Sequence, residues 1–144
     1  MKKSLTKFNK YCLAFIMGLM VTFGNELIRY NPANKPIEYS TNRGSSWYTR
    51  NSGSSIGNVK SIIVYGDELI LCSDKGVMYS NNKGSSWYTR NSSNKNFIDL
   101  QDAGREILAT TADGHLYYST SKGEVQRIDQ THNSQSSVTY EPSR

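Results

Sequence analysis

Few residues of this chain have the types and spacing that catalysis needs. Its two imidazoles, His115 and His132, stand apart, and the chain lacks HExxH, a Cys/His metal cluster, GxSxG and a phosphate-binding glycine loop. Asp67 and Glu68 are adjacent carboxylates, and a carboxylate pair could in principle cleave a glycoside. Because they follow Gly66, we interpret them as solvated turn residues. We therefore predict no catalytic residue, no metal site and no cofactor.

A duplicated segment carries the residues best suited to binding. Residues 44–52 and 84–92 both read GSSWYTRNS. In a strand, the Tyr and the Arg of each copy share one face because side chains alternate. Tyr would then be a platform and Arg a hydrogen-bonding fork, a combination suited to a sugar or an acidic protein surface. Recent duplication is the alternative explanation, in which the two arginines are exposed surface residues. The candidate binding residues are Tyr48, Arg50, Tyr88 and Arg90.

The duplication is part of a longer internal repeat. Tyr39–Ser52 and Tyr79–Ser92 are 40 residues apart and differ at two of fourteen positions. A weaker third copy begins at Tyr118, and the segment after Gly66 aligns with the segment after Gly104 at a displacement of 38. A period of about 40 residues is typical of stacked supersecondary units.

Each full period predicts four short strands. In the better-defined unit they cover residues 59–65, 68–73, 77–80 and 86–90, separated by Gly-, Asp- and Asn-rich turns. In the next unit they cover residues 97–100, 106–111, 115–119 and 125–128. No segment has the pattern of an amphipathic helix. We predict an all-β fold of two to three antiparallel, four-stranded β-propeller blades.

The repeated turns also resemble a known motif. They are similar to the Asp-box, or bacterial neuraminidase repeat, with the pattern SxDxGxTW, except that Asn replaces Asp and Ser replaces Thr. The third copy is degenerate. The matching positions are Ser40, Asn42, Gly44 and Trp47, then Ser80, Asn82, Gly84 and Trp87, then Ser119 and Gly123.

The residue types of this motif have a structural explanation. The Asn side chain can accept hydrogen bonds from backbone N–H groups of its own turn. The Gly tolerates a positive φ, and the Trp is expected to fold over the hairpin as a core residue rather than to bind a ligand.

The resemblance implies two kinds of function. Sialidases with this motif use an arginine cluster, a Tyr nucleophile with a Glu partner and an Asp acid/base at the centre of six blades. Here Arg50 and Arg90 are repeat-equivalent, which is not expected of catalytic residues. The resemblance also covers propellers that are similar to assembly factors of photosynthetic complexes and to sugar-binding lectins. We predict a non-catalytic binding or scaffolding protein for a protein or glycan partner; the alternative is a fragment or relative of a sialidase-like glycoside hydrolase.

The amino terminus has the pattern of an export signal. Four lysines within residues 1–10 precede the apolar run Cys12–Phe23, which is short for a membrane span. We predict a signal helix over residues 1–24, cleaved before Asn25 or kept as an anchor, and hence an exported, envelope-associated or secreted protein. Without these residues the net charge falls from +5 to about +1, which argues against nucleic-acid binding. Cys72 would then be the one remaining cysteine, and we predict a buried, unreactive thiol.

The predicted organisation follows from these segments. Residues 25–36 are a linker, residues 37–128 the repeats, and residues 129–144 a polar tail in which 137–140 could form an edge strand. The first unit is expected to be incomplete, with only its last hairpin over 37–51. Because a closed propeller has about 4 to 8 blades, one chain is too short to close the ring. Copies could complete a ring head to tail as a homo-oligomer, the chain could complete another protein, or it could be an open remnant.

Overall fold

The computed structural model describes residues 19–92, 96–121 and 124–127. All regular structure in these ranges is β-strand and turn. Within the same ranges, no apolar helix has the length needed to cross a membrane. The all-β prediction is confirmed; residues 1–18 of the predicted signal helix lie outside the described residues.

In these ranges, twelve strands form three antiparallel sheets of four strands each. Within each sheet the strands follow chain order, so each sheet is a meander and one blade of the stack. Blade 1 comprises β1 (Met20–Phe23), β2 (Glu26–Tyr30), β3 (Ile37–Ser40) and β4 (Tyr48–Asn51). Blade 2 comprises β5 (Val59–Tyr65), β6 (Glu68–Ser73), β7 (Gly76–Ser80) and β8 (Tyr88–Asn91). Blade 3 comprises β9 (Phe97–Asp102), β10 (Ile107–Thr111), β11 (Leu116–Ser121) and β12 (Glu124–Arg127).

The strand register makes the three blades equivalent residue by residue. A serine of the third strand lies opposite an aliphatic residue of the second strand in every blade. These pairs are Leu27 with Ser40, Leu69 with Ser80, and Ile107 with Ser119. The 40-residue sequence period is therefore a blade-to-blade period.

Two hydrophobic cores lie between consecutive blades, because alternate side chains of blade 2 point to opposite neighbours. Leu69 and Leu71 pack in the first core with residues of blade 1, whereas Ile70 and Cys72 pack in the second with residues of blade 3. All four side chains are fully buried. The inner strands line up across the stack, with β5 in contact with both β1 and β9.

Blade 1 is complete, which corrects the sequence prediction of a lone hairpin preceded by a linker. Met20–Phe23 and Glu26–Tyr30 pair through a turn at Gly24 and Asn25. The linker prediction is thus wrong for Glu26–Tyr30. Short apolar runs are ambiguous, because a signal segment and a buried strand have the same composition. A cleavage before Asn25 would cut between these two strands.

The remaining strand boundaries agree with the predictions to within about two residues. The main difference is that β8 begins at Tyr88, after the Trp that we placed inside the strand. The predicted edge strand at residues 137–140 and Gly123 of the third motif lie outside the described residues.

Candidate functional site

The turn between β3 and β4, which we call the corner of blade 1, is closed by a short network of hydrogen bonds. Ser40 donates its hydroxyl to the side-chain oxygen of Asn42 at 2.9 Å and accepts from the N–H of Gly44 at 2.8 Å. Asn42 in turn accepts from the N–H of Ser46 at 2.8 Å. Because Ser40 is fully buried, these bonds satisfy a hydroxyl that would otherwise be costly to bury.

The corner between β7 and β8 repeats this geometry. The hydroxyl of Ser80 lies 2.8 Å from the side-chain oxygen of Asn82, which accepts from the N–H of Ser86 at 2.9 Å. The indole N–H of Trp87 donates to the carbonyl of Gly84 at 3.0 Å and ties the ring to the corner. Trp87 is buried in the core between blades 1 and 2, as predicted from its position in the repeat. The same prediction is wrong for Trp47, which is half-buried and belongs to neither described core, because no described blade packs on that side of blade 1.

The glycine of each corner suits its backbone conformation, and in blade 2 it also suits the close packing on blade 1. Gly44 and Gly84 have φ of 86° and 90°, the left-handed region in which a side chain is strained. A Cβ at Gly84 would also lie 3.2 Å from Ile37 of blade 1 and 3.5 Å from Leu69. The corner of blade 2 therefore needs glycine for its conformation and for close packing on blade 1.

The duplicated Tyr and Arg residues belong to a larger group of side chains. The first Tyr–Arg–Glu cluster consists of Glu26, Tyr39, Tyr48 and Arg50. Arg50 binds both carboxylate oxygens of Glu26 at 2.9 and 3.0 Å, and its guanidinium lies 3.7 Å from the ring centroid of Tyr39. Tyr48 packs on Tyr39 with ring centroids 5.8 Å apart and remains 57% exposed.

The second Tyr–Arg–Glu cluster consists of Glu68, Tyr79, Tyr88 and Arg90. Arg90 binds the two carboxylate oxygens of Glu68 at 3.1 and 3.2 Å and lies 3.8 Å from the ring centroid of Tyr79. Tyr88 packs on Tyr79 at 5.7 Å and is 51% exposed. The two clusters agree in each of these contacts, so the repeat forms the same arrangement of four side chains twice.

The arginines are structural residues, which corrects the interpretation of Arg50 and Arg90 as exposed. Their side chains are only 14% and 17% exposed. The hydrogen bond from Arg50 lowers the pKa of the Glu26 carboxyl below its ordinary value, and Glu26 raises the pKa of Arg50. Both effects keep the pair ionised.

The end of the duplicated segment in blade 1 also donates hydrogen bonds to the backbone of blade 2. Arg50 donates to the carbonyl of Lys83 at 3.2 Å, and the side-chain amide of Asn51 donates to the carbonyl of Ser85 at 2.9 Å. Lys83 approaches Glu26 at 3.6 Å. Arg50 and Asn51 of the first copy therefore have a role in folding that the sequence did not reveal.

The other candidate groups are placed as follows. Cys72 is fully buried between blades 2 and 3, and this burial raises the pKa of its thiol to about 12. His115 contacts the carboxylate of Asp113 at 2.9 Å on an exposed turn. Among residues 19–92, 96–121 and 124–127, no three His, Cys, Asp or Glu side chains are grouped so that they could hold a metal ion. His132 lies outside the described residues.

Comparison with protein families agrees with this architecture. The profile of the DUF6242 beta propeller domain matches residues 14–139, most of the 144-residue chain. The chain belongs to this family. No curated protein is similar enough to count as a relative. Membership of the DUF6242 propeller family agrees with the three antiparallel sheets described above.

The DUF6242 match also bears on the amino terminus. It begins at residue 14, inside the apolar run that we interpreted as a leader. Leu19 is buried in the core between blades 1 and 2, and its carbonyl accepts from the N–H of Tyr30 at 2.8 Å. The end of the apolar run is therefore part of the propeller.

Sequence reasoning missed Glu26, the carboxylate partner of Arg50 in this DUF6242 propeller. A signal for it was present, because Gly24-Asn-Glu-Leu-Ile28 repeats Gly66-Asp-Glu-Leu-Ile70 at a displacement of 42. Assigning Gly24 to a cleavage site hid this third alignment of the period. Likewise Glu68, which we interpreted as a solvated turn residue, is the partner of Arg90.

Proposed function

We propose that this protein is a non-catalytic binding or scaffolding propeller that recognises its partner through Tyr48 and Tyr88. The observation that carries the proposal is that two exposed tyrosines occupy the same blade position, each held by the same neighbours. A rigid aromatic ring loses little conformational entropy when it is covered by a ligand. The proposal assigns the contacts to the tyrosines, because the arginine forks are already engaged.

The corner hydrogen bonds support the assignment of both turns as Asp-boxes with Asn in place of Asp. In each corner the Asn side chain accepts from a backbone N–H four residues on, the role that the motif requires of Asp. We accordingly propose that the box residues are structural and that they position the edge strands β4 and β8.

Two identical sites fit a partner that presents the same group twice. Each weak contact then raises the effective concentration for the other, so overall affinity exceeds that of one site. A glycan with repeating units meets this condition more simply than a protein surface does. The ammonium of Lys83, which is 46% exposed beside the first cluster, would favour an anionic unit.

Several contacts support the non-enzyme part of the proposal. Glu26 and Glu68 each form a bidentate ion pair with an arginine of their own blade, so neither is an unpaired general acid or base. The thiol of Cys72 is buried and remains protonated near neutral pH. No contact in the described residues favours the sialidase-like alternative.

We propose export as the cellular context, with any leader ending before Leu19. The lysine-rich segment and the apolar residues 12–18 support export, since the apolar core of a signal spans about 7 to 15 residues. A boundary before Leu19 keeps β1 within blade 1.

The test is binding to a glycan array and to proteins of the native envelope. We expect Tyr48→Ala or Tyr88→Ala to weaken binding about tenfold and the double variant to abolish it. Thr49→Ala with Thr89→Ala is the matched control, because these exposed threonines are the next residues on the same strands. Capture of a protein that depends on both tyrosines would replace the glycan by a protein partner. Binding unaffected by the double tyrosine variant would refute the proposed site.

A further inference from the structure

One cross-strand pair differs in chemistry between blade 1 and the blades that follow. At the same register position of the second and third strands, blade 2 has Leu71 opposite Met78, and blade 3 has Ala109 opposite Tyr117. Blade 1 has an ion pair there, Arg29 opposite Glu38. The strand register makes these three pairs equivalent. Blade 1 therefore has two charged residues where blades 2 and 3 have apolar or aromatic residues.

In blades 2 and 3 this pair lies on the face turned toward the preceding blade, which we call the leading face. Leu71 and Met78 pack in the core shared with blade 1, and Ala109 and Tyr117 pack in the core shared with blade 2. The leading face of a blade thus provides half of each inter-blade core.

The leading face of blade 1 is turned away from blade 2. Ile28 and Tyr30 point into the core with blade 2, so Arg29, between them on β2, points to the opposite side. The guanidinium Nε lies 2.7 Å from a carboxylate oxygen of Glu38, and the group stacks 3.9 Å from the ring centroid of Trp47.

The same arginine covers the indole that blade 1 would otherwise expose. Trp47 is the equivalent of Trp87, which is 8% exposed and packs in the core between blades 1 and 2. In blade 1 the indole of Trp47 is therefore covered by a residue of the same blade, whereas in blade 2 the indole of Trp87 is covered by residues of blade 1. A side-chain amide, that of Asn31, adds a hydrogen bond to Glu38 at 3.4 Å.

We propose that the leading face of blade 1 is a built end cap and that no further blade, from a second copy or another protein, packs on it. Repeat stacks need polar outer faces at their ends to stay soluble. Packing a blade here would strip water from the ion pair of Arg29 and Glu38 without supplying a new partner, which is unfavourable. This inference is independent of the tyrosine sites.

The inference opposes one of the assemblies considered from the sequence. A ring closed head to tail by several copies needs the leading face of blade 1 as one half of each heterologous interface. With this face capped, association between copies has to use other surfaces.

The test is to give blade 1 the pair of blade 2 and to measure mass in solution. Sedimentation of the full chain should show that Arg29→Leu with Glu38→Met at least doubles the average mass, whereas the wild type does not associate through this face. Arg29→Ala with Glu38→Tyr, the pair of blade 3, is a second variant in case the first does not fold. Arg29→Glu with Glu38→Arg keeps an ion pair and should leave the wild-type mass unchanged.

Two results would overturn the inference. In one, both apolar variants keep the wild-type mass at every concentration, so the charged pair does not control association. In the other, the wild type forms an oligomer that the charge-exchanged variant dissociates, so the face is an interface. Acrylamide quenching of Trp47, taken as the difference between wild type and Trp47→Phe, should be independent of protein concentration. Protection of Trp47 at high concentration would also contradict the cap.

Discussion

At the scale of residues, each copy of the duplicated segment combines an exposed tyrosine with a largely buried arginine. Alternation correctly predicts that Tyr48 and Arg50 share a face, since both contact Tyr39. Alternation could not predict that the carboxylate of Glu26 binds the guanidinium of Arg50, because Glu26 lies in β2 and Arg50 lies in β4, two strands away in the sheet. Exposure of the tyrosine and burial of the arginine are properties of tertiary packing, which spacing alone does not determine.

The Glu26–Arg50 ion pair makes a prediction about acid stability. The hydrogen bond from Arg50 lowers the pKa of Glu26 below 4.5, so the folded state favours the ionised carboxylate. Its contribution to the free energy of unfolding is complete above the ordinary glutamate pKa and is lost as the pH falls through the lower folded value. Glu26→Gln should therefore destabilise the protein at pH 7, and its difference from wild type should shrink as the pH falls below the ordinary glutamate pKa.

Urea unfolding across this pH range measures the effect. Glu106→Gln is the matched control, since Glu106 is the equivalent residue of blade 3 and its carboxyl has no ion-pair partner within the described ranges. A Glu26→Gln curve parallel to that of the wild type at all pH values would show that the ion pair does not contribute.

At the scale of elements, the sequence predicts strands and corners well and the first hairpin poorly. Strands β5 to β11 follow from β-branched runs between Gly- and Asp-rich turns, and the corner glycines follow from the repeat. The pair β1 and β2 was hidden by its resemblance to a signal segment. The relevant information, the third alignment at Gly24–Ile28, is visible only when the leader interpretation is set aside.

The corner geometry predicts that an aspartate is the better residue at position 82. Asn82 accepts from the N–H of Ser86 at 2.9 Å and from the hydroxyl of Ser80 at 2.8 Å. A carboxylate accepts such bonds more strongly, so Asn82→Asp should raise the free energy of unfolding by about 0.5 to 1 kcal/mol.

Chemical denaturation of Asn82→Asp at neutral pH checks this value. Asn81→Asp is the control, because it places the same charge on the neighbouring exposed side chain. Equal effects of the two substitutions would mean that net charge, and not the corner hydrogen bonds, determines the change.

At the scale of the whole molecule, the described residues form a stack of three blades, in which the repeat sets the strand register of each blade. Each of the two described interfaces between blades is a hydrophobic core, and the first is reinforced at its outer edge by Arg50 and Asn51 on the next corner. We expect the stability of the stack to come from contacts between neighbouring blades, so that blade 2, which packs on both blade 1 and blade 3, stabilises both of them.

The completeness of blade 1 is the central structural claim, and a double-mutant cycle on Glu26 and Arg50 tests it most directly. Glu26→Gln and Arg50→Met remove the two partners, and the methionine keeps an apolar stem over Tyr39. If β2 lies in blade 1 as described, denaturant unfolding should give a coupling energy of about 1 to 2 kcal/mol. Strictly additive effects of the two substitutions would show that Glu26 does not meet Arg50 and would contradict the first blade.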